Sequence, residues 1–361
     1  MKLSERELFE LVEEALSSCL AKVPFLKIRD IEQESAQEAA RPDFLITLEV
    51  PAGTQTFVVE VKNAGQPRVA RDAVNQLLRF SQAFPQAFPV FIAPYISPKA
   101  AEICEQAGVG YLDFSGNCRL CFQEVYIEKT GNPNIFSEKR DLRSLYSPKA
   151  ENVLRVLLTT PLKAWKIQEL ADEAGVSVGQ VAKVKNLLLN RECLSEADGM
   201  VLSKPEELLS EWAKNYNFRK NRVRDFYSLK SVSEIEFALA NLCKSEKLTY
   251  ALTSFSGAAR LAPAVRYQRV FAYLEETEKD VAGLLNLKEV PSGANISLLT
   301  PYDEGIFYGS KDINGIRIAS PIQIYLDLKT YRGRGEEAAD MLLEQVIRKR
   351  WQQEQITMKL L

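Results

Sequence analysis

The sequence contains no histidine. That absence removes Ser–His–Asp and Cys–His nucleophilic catalysis, His-ligated zinc and every nuclease chemistry that needs an imidazole. No apolar run approaches 18 residues, so no membrane span is expected. Neither charge sign dominates: 46 Lys and Arg against 48 Asp and Glu leave a net charge of −2. No global field therefore draws the chain to nucleic acid or to a membrane, and any basic site must be local. Cysteine is sparse, six in 361 residues: Cys19, Cys104, Cys118, Cys121, Cys193 and Cys243. Only Cys118 and Cys121 are closely spaced, and no second pair exists to complete a tetrahedral zinc shell. The six read as small buried thiols in a reducing cytoplasm. The first stretch, MKLSERELFELVEEALSSCL, carries acids where a secretory signal needs an apolar core, and reads as an amphipathic helix. What remains for catalysis is carboxylate, lysine, tyrosine and oxygen-ligated metal.

A length of 361 residues suggests two or three domains, and the patterning gives three blocks, 1–140, 141–205 and 206–361. In the first, helical patterns at 4–21, 69–83 and 98–107 alternate with strand-like runs at 25–31, 44–50, 56–61, 88–93 and 110–114. Two further strand candidates flank Cys121. Pro51-Ala-Gly53 is a turn signal between two of the strands. This order predicts an α/β sheet with helices on its faces.

Arg41-Pro42-Asp43 opens one strand, and seventeen residues later Glu60-Val61-Lys62 ends the next. On adjacent strands of a hairpin, Asp43 and Glu60 can converge at one end of the sheet. Glu60 and Lys62 share a face because side chains alternate. Two carboxylates brought close repel unless a cation joins them, and Mg²⁺ prefers such oxygen ligands. This pattern resembles the PD-(D/E)XK phosphodiesterases, the restriction-endonuclease-like αβββαβ fold. The resemblance covers about residues 1–130. It implies metal binding by Asp43 and Glu60, catalysis by Lys62, and an additional helix glutamate from Glu10, Glu13 or Glu14. A subset resembling RecB-type nucleases adds a glutamine on the next helix, which implies a role for Gln76. A second match, Asp312 with Asp327-Leu-Lys329, sits in PIQIYLDLKTY, which reads as a helix and lacks a strand hairpin.

The middle block predicts helices at 149–159, 166–174 and 177–191, then a hairpin over 193–203 turning at Asp198-Gly199. Gly175 suits a left-handed C-cap and Ser177 an N-cap. Val178, Val181, Val184 and Leu188 line one helix face; Gly179, Gln180, Lys183 and Asn186 line the other. Two helices joined by a short turn, with polar groups at the exposed start of the second, suit a helix-turn-helix. The block resembles bacterial winged-helix regulators beginning Pro148-Lys-Ala-Glu-Asn-Val-Leu. An ordinary tri-helical interaction module has the same pattern. Over residues 147–205 eight Lys and Arg face seven Asp and Glu, so the block is barely basic. The adjoining KNYNFRKNRVRDFYSLK (214–230) has six basic residues against one acid. It reads either as a solvated helix face or as added phosphate contacts through Arg219, Lys220 and Arg222.

The last block is mixed α/β. Ser254 and Ser256 have no histidine base, which argues against a serine nucleophile. The order TSFSGAARLAPAVRYQR, then PYDEGIFYG, then ASPIQIYLDLKTYRGRGEEAADML resembles the AbiEi-type antitoxin regulators of type IV toxin–antitoxin systems, over about residues 145–350. That resemblance implies operator binding by the winged helix, through Ser177, Gln180, Lys183 and Asn186, and a C-terminal antitoxin domain with a cognate toxin partner. The nuclease-like front block departs from that family. The whole predicts a cytoplasmic protein that binds double-stranded DNA, an AbiEi-like transcriptional regulator or antitoxin. The alternative is an active Mg²⁺-dependent DNA endonuclease in phage defence or repair. A third reading is a protein that neutralises a toxin encoded nearby.

Overall fold

A computed structural model describes residues 5–21, 23–33, 41–135, 145–195, 199–262 and 267–359. The expected turn residue Asp198, and Val265 and Arg266 of the C-terminal motif, lie outside the described residues. The chain divides into two units, Met1–Asp141 with Leu189–Glu192, and Leu142–Leu188 with Cys193–Leu361. Among the described residues no helix is long and apolar enough to cross a membrane.

The first unit is built on a seven-stranded sheet whose strands lie in chain order, β1 (Lys27–Gln33) to β7 (Val125–Lys129). The first strand starts two residues later than its sequence pattern suggests, because Phe25 stays exposed ahead of it. Strands β2 (Phe44–Val50) and β3 (Gly53–Val61) form an antiparallel hairpin, Val50 opposite Gly53. Gly53 turns the chain there with φ 132°, a backbone that side chains rarely adopt. Helix α2 (Pro67–Ala83) carries the chain from β3 to the parallel β4 (Phe88–Ala93). Helix α3 (Pro98–Gln106) carries it on to the parallel β5 (Gly110–Asp113). Strands β6 (Cys118–Phe122) and β7 continue antiparallel.

The alternation of β2 and β3 sorts the core into two layers. Phe44, Ile46, Leu48, Phe57 and Val59 pack with Val12 and Leu16 of helix α1 (Glu5–Leu20) on one face. Leu45 and Val58 pack on the other face, with Ala70, Ala73, Val74 and Leu77 of α2 and Ala100, Ile103 and Cys104 of α3. The central strand β4 is buried on both faces, as its continuous apolar run requires.

The second unit opens with α4 (Pro148–Thr159), in which every residue from Ala150 to Thr159 is buried. Helix α5 (Ile167–Ala174) ends at Gly175, which takes the left-handed conformation (φ 61°, ψ 40°). Ser177 then caps α6 (Val178–Asn190), its hydroxyl accepting from the Gln180 amide at 3.2 Å. The hairpin that follows is short, β8 (Leu194–Ser195) with β9 (Val201–Leu202), and Trp165 bridges to Met200 beside it. Beyond it lies a second seven-stranded sheet, of mixed direction, whose centre holds Ile296–Thr300, Val270–Leu274 and Tyr250–Leu252.

The basic stretch 214–230 does not continue as a helix. It breaks after Asn215 into a short turn, Phe218–Lys220, and enters the sheet as Arg222–Tyr227. Two asparagines fix that turn. Asn217 accepts from the Arg219 amide (3.1 Å), and Asn221 donates to the Phe218 carbonyl (3.0 Å). The Asp327 motif lies in a helix, Pro321–Leu328, as its pattern predicts.

Candidate functional site

In the first unit, the β2–β3 register pairs Phe44 with Val59 and Leu45 with Val58. Continued by one residue, it sets Asp43 opposite Glu60. Odd positions of β2 and even positions of β3 face α2 and α3, so Asp43, Glu60 and Lys62 project from the same side of the sheet. Asp43 Oδ2 accepts from the Val61 amide at 2.7 Å, which ties the start of β2 to the end of β3. The Lys62 amide donates to the Ile92 carbonyl at 2.9 Å, so β3 is still held against β4 at the lysine.

Glu60 is 4% exposed. Its Oε1 is ion-paired with Lys62 Nζ, whose side chain keeps 28% of its surface in solvent. Burial pushes the Glu60 carboxyl above its ordinary range, and the charge of Asp43 pushes the same way; the hydrogen bond from Lys62 opposes both. Gln76 sits on α2, among the residues that cover this face. Its Oε1 is buried with no hydrogen-bond partner among the described residues. Glu10, Glu13 and Glu14 are exposed on α1, over the opposite face, so the fold does not bring them to Asp43 and Glu60.

The donor set fits a hard cation. It offers two carboxylates opposite one another, one of them raised by burial and by the other's charge, and, on the helix that covers this face, an amide oxygen without a partner among the described residues. Among the described residues no group of three or more His, Cys, Asp or Glu is assembled as a metal cluster. Water and substrate oxygens would complete the shell, as is usual for Mg²⁺.

A raised carboxyl has a definite stability signature. The folded state holds the Glu60 proton more tightly than the unfolded chain does. Stability from this group is therefore greatest below the ordinary glutamate range and is lost as pH rises through the raised value. Glu60→Gln keeps an acceptor for Lys62 and removes the buried charge. We expect it to raise the thermal midpoint at pH 7 and to flatten the pH dependence above the ordinary glutamate range. Calorimetry at several pH values checks this; a lower midpoint at pH 7 would mean the ionised carboxylate stabilises the fold.

In the second unit, Ser177, Lys183 and Asn186 are exposed on α6 and Gln180 is half-buried, while Val181, Val184 and Leu188 turn inward. The four polar side chains thus share the solvent side of the helix and its first turns. The neighbouring basic run is largely compensated. Lys220 lies 3.4 Å from the Glu151 carboxylate and over the Tyr302 ring. Arg222 pairs with Glu276 at 3.1 Å and Arg224 with Glu289 at 2.9 Å. Arg219 is exposed on the turn.

Sequence reading missed the polar interior of this unit. Arg155 of α4, 1% exposed, donates to Gln323 Oε1 at 2.9 and 3.2 Å and stacks over Trp212. It lies 3.8 Å from Glu151, itself fully buried and bonded to the Tyr302 hydroxyl. Gln323 leads on to Asp327, which accepts from Tyr216 (2.8 Å), Tyr273 (2.9 Å), Thr253 and Gln323 (3.0 Å). Burial pushes the Asp327 carboxyl up to about 6 against those four donors. Gly305, in the Pro301-Tyr-Asp-Glu-Gly motif, passes so close to α4 that a Cβ there would meet Asn152 Oδ1 at 1.9 Å. These motifs contribute to one polar interior.

Residues 201–348 match the family model described as transcriptional regulator, AbiEi antitoxin, type IV toxin–antitoxin system. No curated protein is significantly similar to the chain. Among solved structures, EndoMS in apo form is 16% identical over 31% of this chain and 47% of its own, with a TM-score of 0.23. The EndoMS–dsDNA2 complex is 17% identical over 31% of this chain and 46% of its own, with a TM-score of 0.22. The chain thus matches less than half the length of either, and an overlap this slight fixes neither fold nor function. The C-terminal region of this mixed α/β chain, residues 201–348, is similar to the AbiEi antitoxins.

Proposed function

We propose that the protein is a double-stranded-DNA-binding transcriptional regulator of the AbiEi antitoxin type, with a PD-(D/E)XK-like unit in front. The reading rests on one observation above others. A capped helix pair with an exposed polar face on its second helix belongs to the same unit as the antitoxin-like residues 201–348. In this reading α4 to α6 and the β8–β9 hairpin form a winged helix. Helix α6 enters the major groove, Gln180 and Asn186 meet base edges, and Ser177 and Lys183 meet phosphate. Arg219 and Arg222 add phosphate contacts from the flanking turn and strand; Lys220, held by Glu151, adds least. The C-terminal sheet engages a cognate toxin protein, and both steps occur in the cytoplasm.

The test is binding of the full chain to the promoter of its own gene over a salt series. With so little uncompensated basic charge, the salt slope is expected to be shallow. Lys183→Ala is expected to weaken binding to all sequences alike and to lower the slope by about 1. Asn186→Ala is expected to relax sequence preference by about 1–3 kcal/mol. Binding that is absent, or unchanged by Lys183→Ala and Asn186→Ala, would remove the reading.

The pairing of Asp43 with Glu60 beside Lys62 favours a second reading, a Mg²⁺-dependent phosphodiesterase acting on DNA. Asp43 and Glu60 would hold the metal, which supplies polarisation of a phosphoryl oxygen and a more acidic water. Lys62 places a cation where charge develops on the scissile phosphate. Gln76 positions the nucleic acid or a water through its unpartnered oxygen.

A further inference from the structure

Cys19 lies near the end of α1 and Cys118 opens β6, 99 residues apart in the chain. Their sulfurs stand 2.6 Å apart and both residues are buried. The two sulfurs are thus in direct contact, the first requirement for a disulfide between them. Lys129 of β7 reaches over the same end of α1, donating to the Ser18 carbonyl at 2.7 Å and the Cys19 carbonyl at 3.2 Å. The hydrogen bond from Cys19, and then the Lys129 charge, hold the Cys118 thiol below its ordinary range against the effect of burial. Two other buried thiols contrast with it: burial pushes Cys104 up to about 12, and burial with the charge of Glu275 does the same at Cys243. The pair is approached from the Cys19 side. Cys19 lines a cavity of about 260 Å³ whose wall is mixed, apolar at Leu11, Leu112 and Phe114 and polar at Glu14 and Lys129, and a space of this size has room for water or peroxide.

We propose that Cys19 and Cys118 are a redox modification site, oxidised by hydrogen peroxide to a disulfide that staples α1 to β6. The Cys118 thiolate attacks one peroxide oxygen, breaking the O–O bond and giving a sulfenic acid and hydroxide. The Cys19 sulfur then attacks the Cys118 sulfur, expelling hydroxide, and the Cys19 proton converts it to water. Two thiols and one peroxide give one disulfide and two waters. A small dithiol reverses the bond by exchange through a mixed disulfide. A disulfide of this kind, in a chain otherwise built of free thiols, is a responsive bond and not a constitutive staple.

The experiment treats reduced full-length protein with graded hydrogen peroxide under native conditions, then alkylates free thiols and maps peptides by mass spectrometry. We expect loss of two hydrogens, two of the six thiols protected, and a Cys19–Cys118 cross-linked peptide that dithiothreitol releases. Hydrogen exchange in α1 slows and the thermal midpoint rises in the oxidised protein. Cys121→Ser, which changes an exposed cysteine on the same strand, keeps all of this. Cys118→Ala abolishes it; should that variant not fold, the wild-type peptide map alone decides. Peroxide that oxidises Cys121 while Cys19 and Cys118 stay alkylatable, or that takes Cys118 to a sulfinic acid without a cross-link, would overturn the proposal.

Discussion

Lys62→Ala is expected to cut Mg²⁺-dependent cleavage of DNA by the full chain roughly 10²–10³-fold, the loss typical of removing one preorganised charge-stabilising donor. The loss has two physical parts. The ammonium that faces the developing negative charge is gone. In addition, Glu60 loses its hydrogen-bonding partner, and burial and the Asp43 charge then act on it unopposed. A glutamate pushed further toward its protonated form is a poorer metal ligand. Lys62→Arg keeps the charge but replaces a compact ammonium by a planar fork, so partial activity is expected. Lys62 is partly solvated, so its removal should leave the fold intact, which circular dichroism checks. Wild type and Lys62→Ala equally inert on single- and double-stranded DNA, with Mg²⁺ or Mn²⁺, would make the front unit a binding surface and not an enzyme.

The largest stability effect is expected at Arg155. Its guanidinium is held by Gln323, Asn152 and Tyr302, lies 3.8 Å from Glu151 and covers the Trp212 ring. Arg155→Ala leaves the fully buried Glu151 with Lys220 as its one cationic neighbour among the described residues and empties the space above Trp212. Breaking a buried pair in this way costs about 3–5 kcal/mol, a fall of roughly 6–20 °C in the midpoint of a unit this size. Replacing both partners, Arg155→Met with Glu151→Leu, should recover much of the loss, because no charge is then stranded. Thermal denaturation of the single and double variants forms a cycle. An Arg155→Ala midpoint within about 2 °C of wild type would show that the network contributes little.

The parts legible in the sequence are those set by local pattern. Strand β2 was bounded by its alternation, and β4 by its unbroken apolar run. Gly175 and Ser177 announced the turn between α5 and α6, since a left-handed cap and a hydroxyl cap each need a particular residue type. The proximity of Asp43 and Glu60 followed from a hairpin with a short turn, in which register is arithmetic. What stayed hidden depends on contacts between distant segments. Nothing near Arg155 predicts that every side of α4 is buried, because its partners Tyr302 and Gln323 lie 147 and 168 residues away. Lys220 reads as a free cation until Glu151 is placed beside it. The Cys19–Cys118 pair is equally silent, since the local spacing of cysteines points to Cys121 instead.

The central claim is that the exposed start of α6 enters a DNA groove. The most direct test places a photo-crosslinking amino acid at position 183 of the full chain and irradiates it with a labelled duplex of its own promoter. The account predicts a protein–DNA adduct whose formation unlabelled promoter suppresses at lower concentration than a scrambled duplex of equal length. An adduct suppressed equally by both duplexes, or no adduct under conditions where the chain binds the promoter, would contradict it.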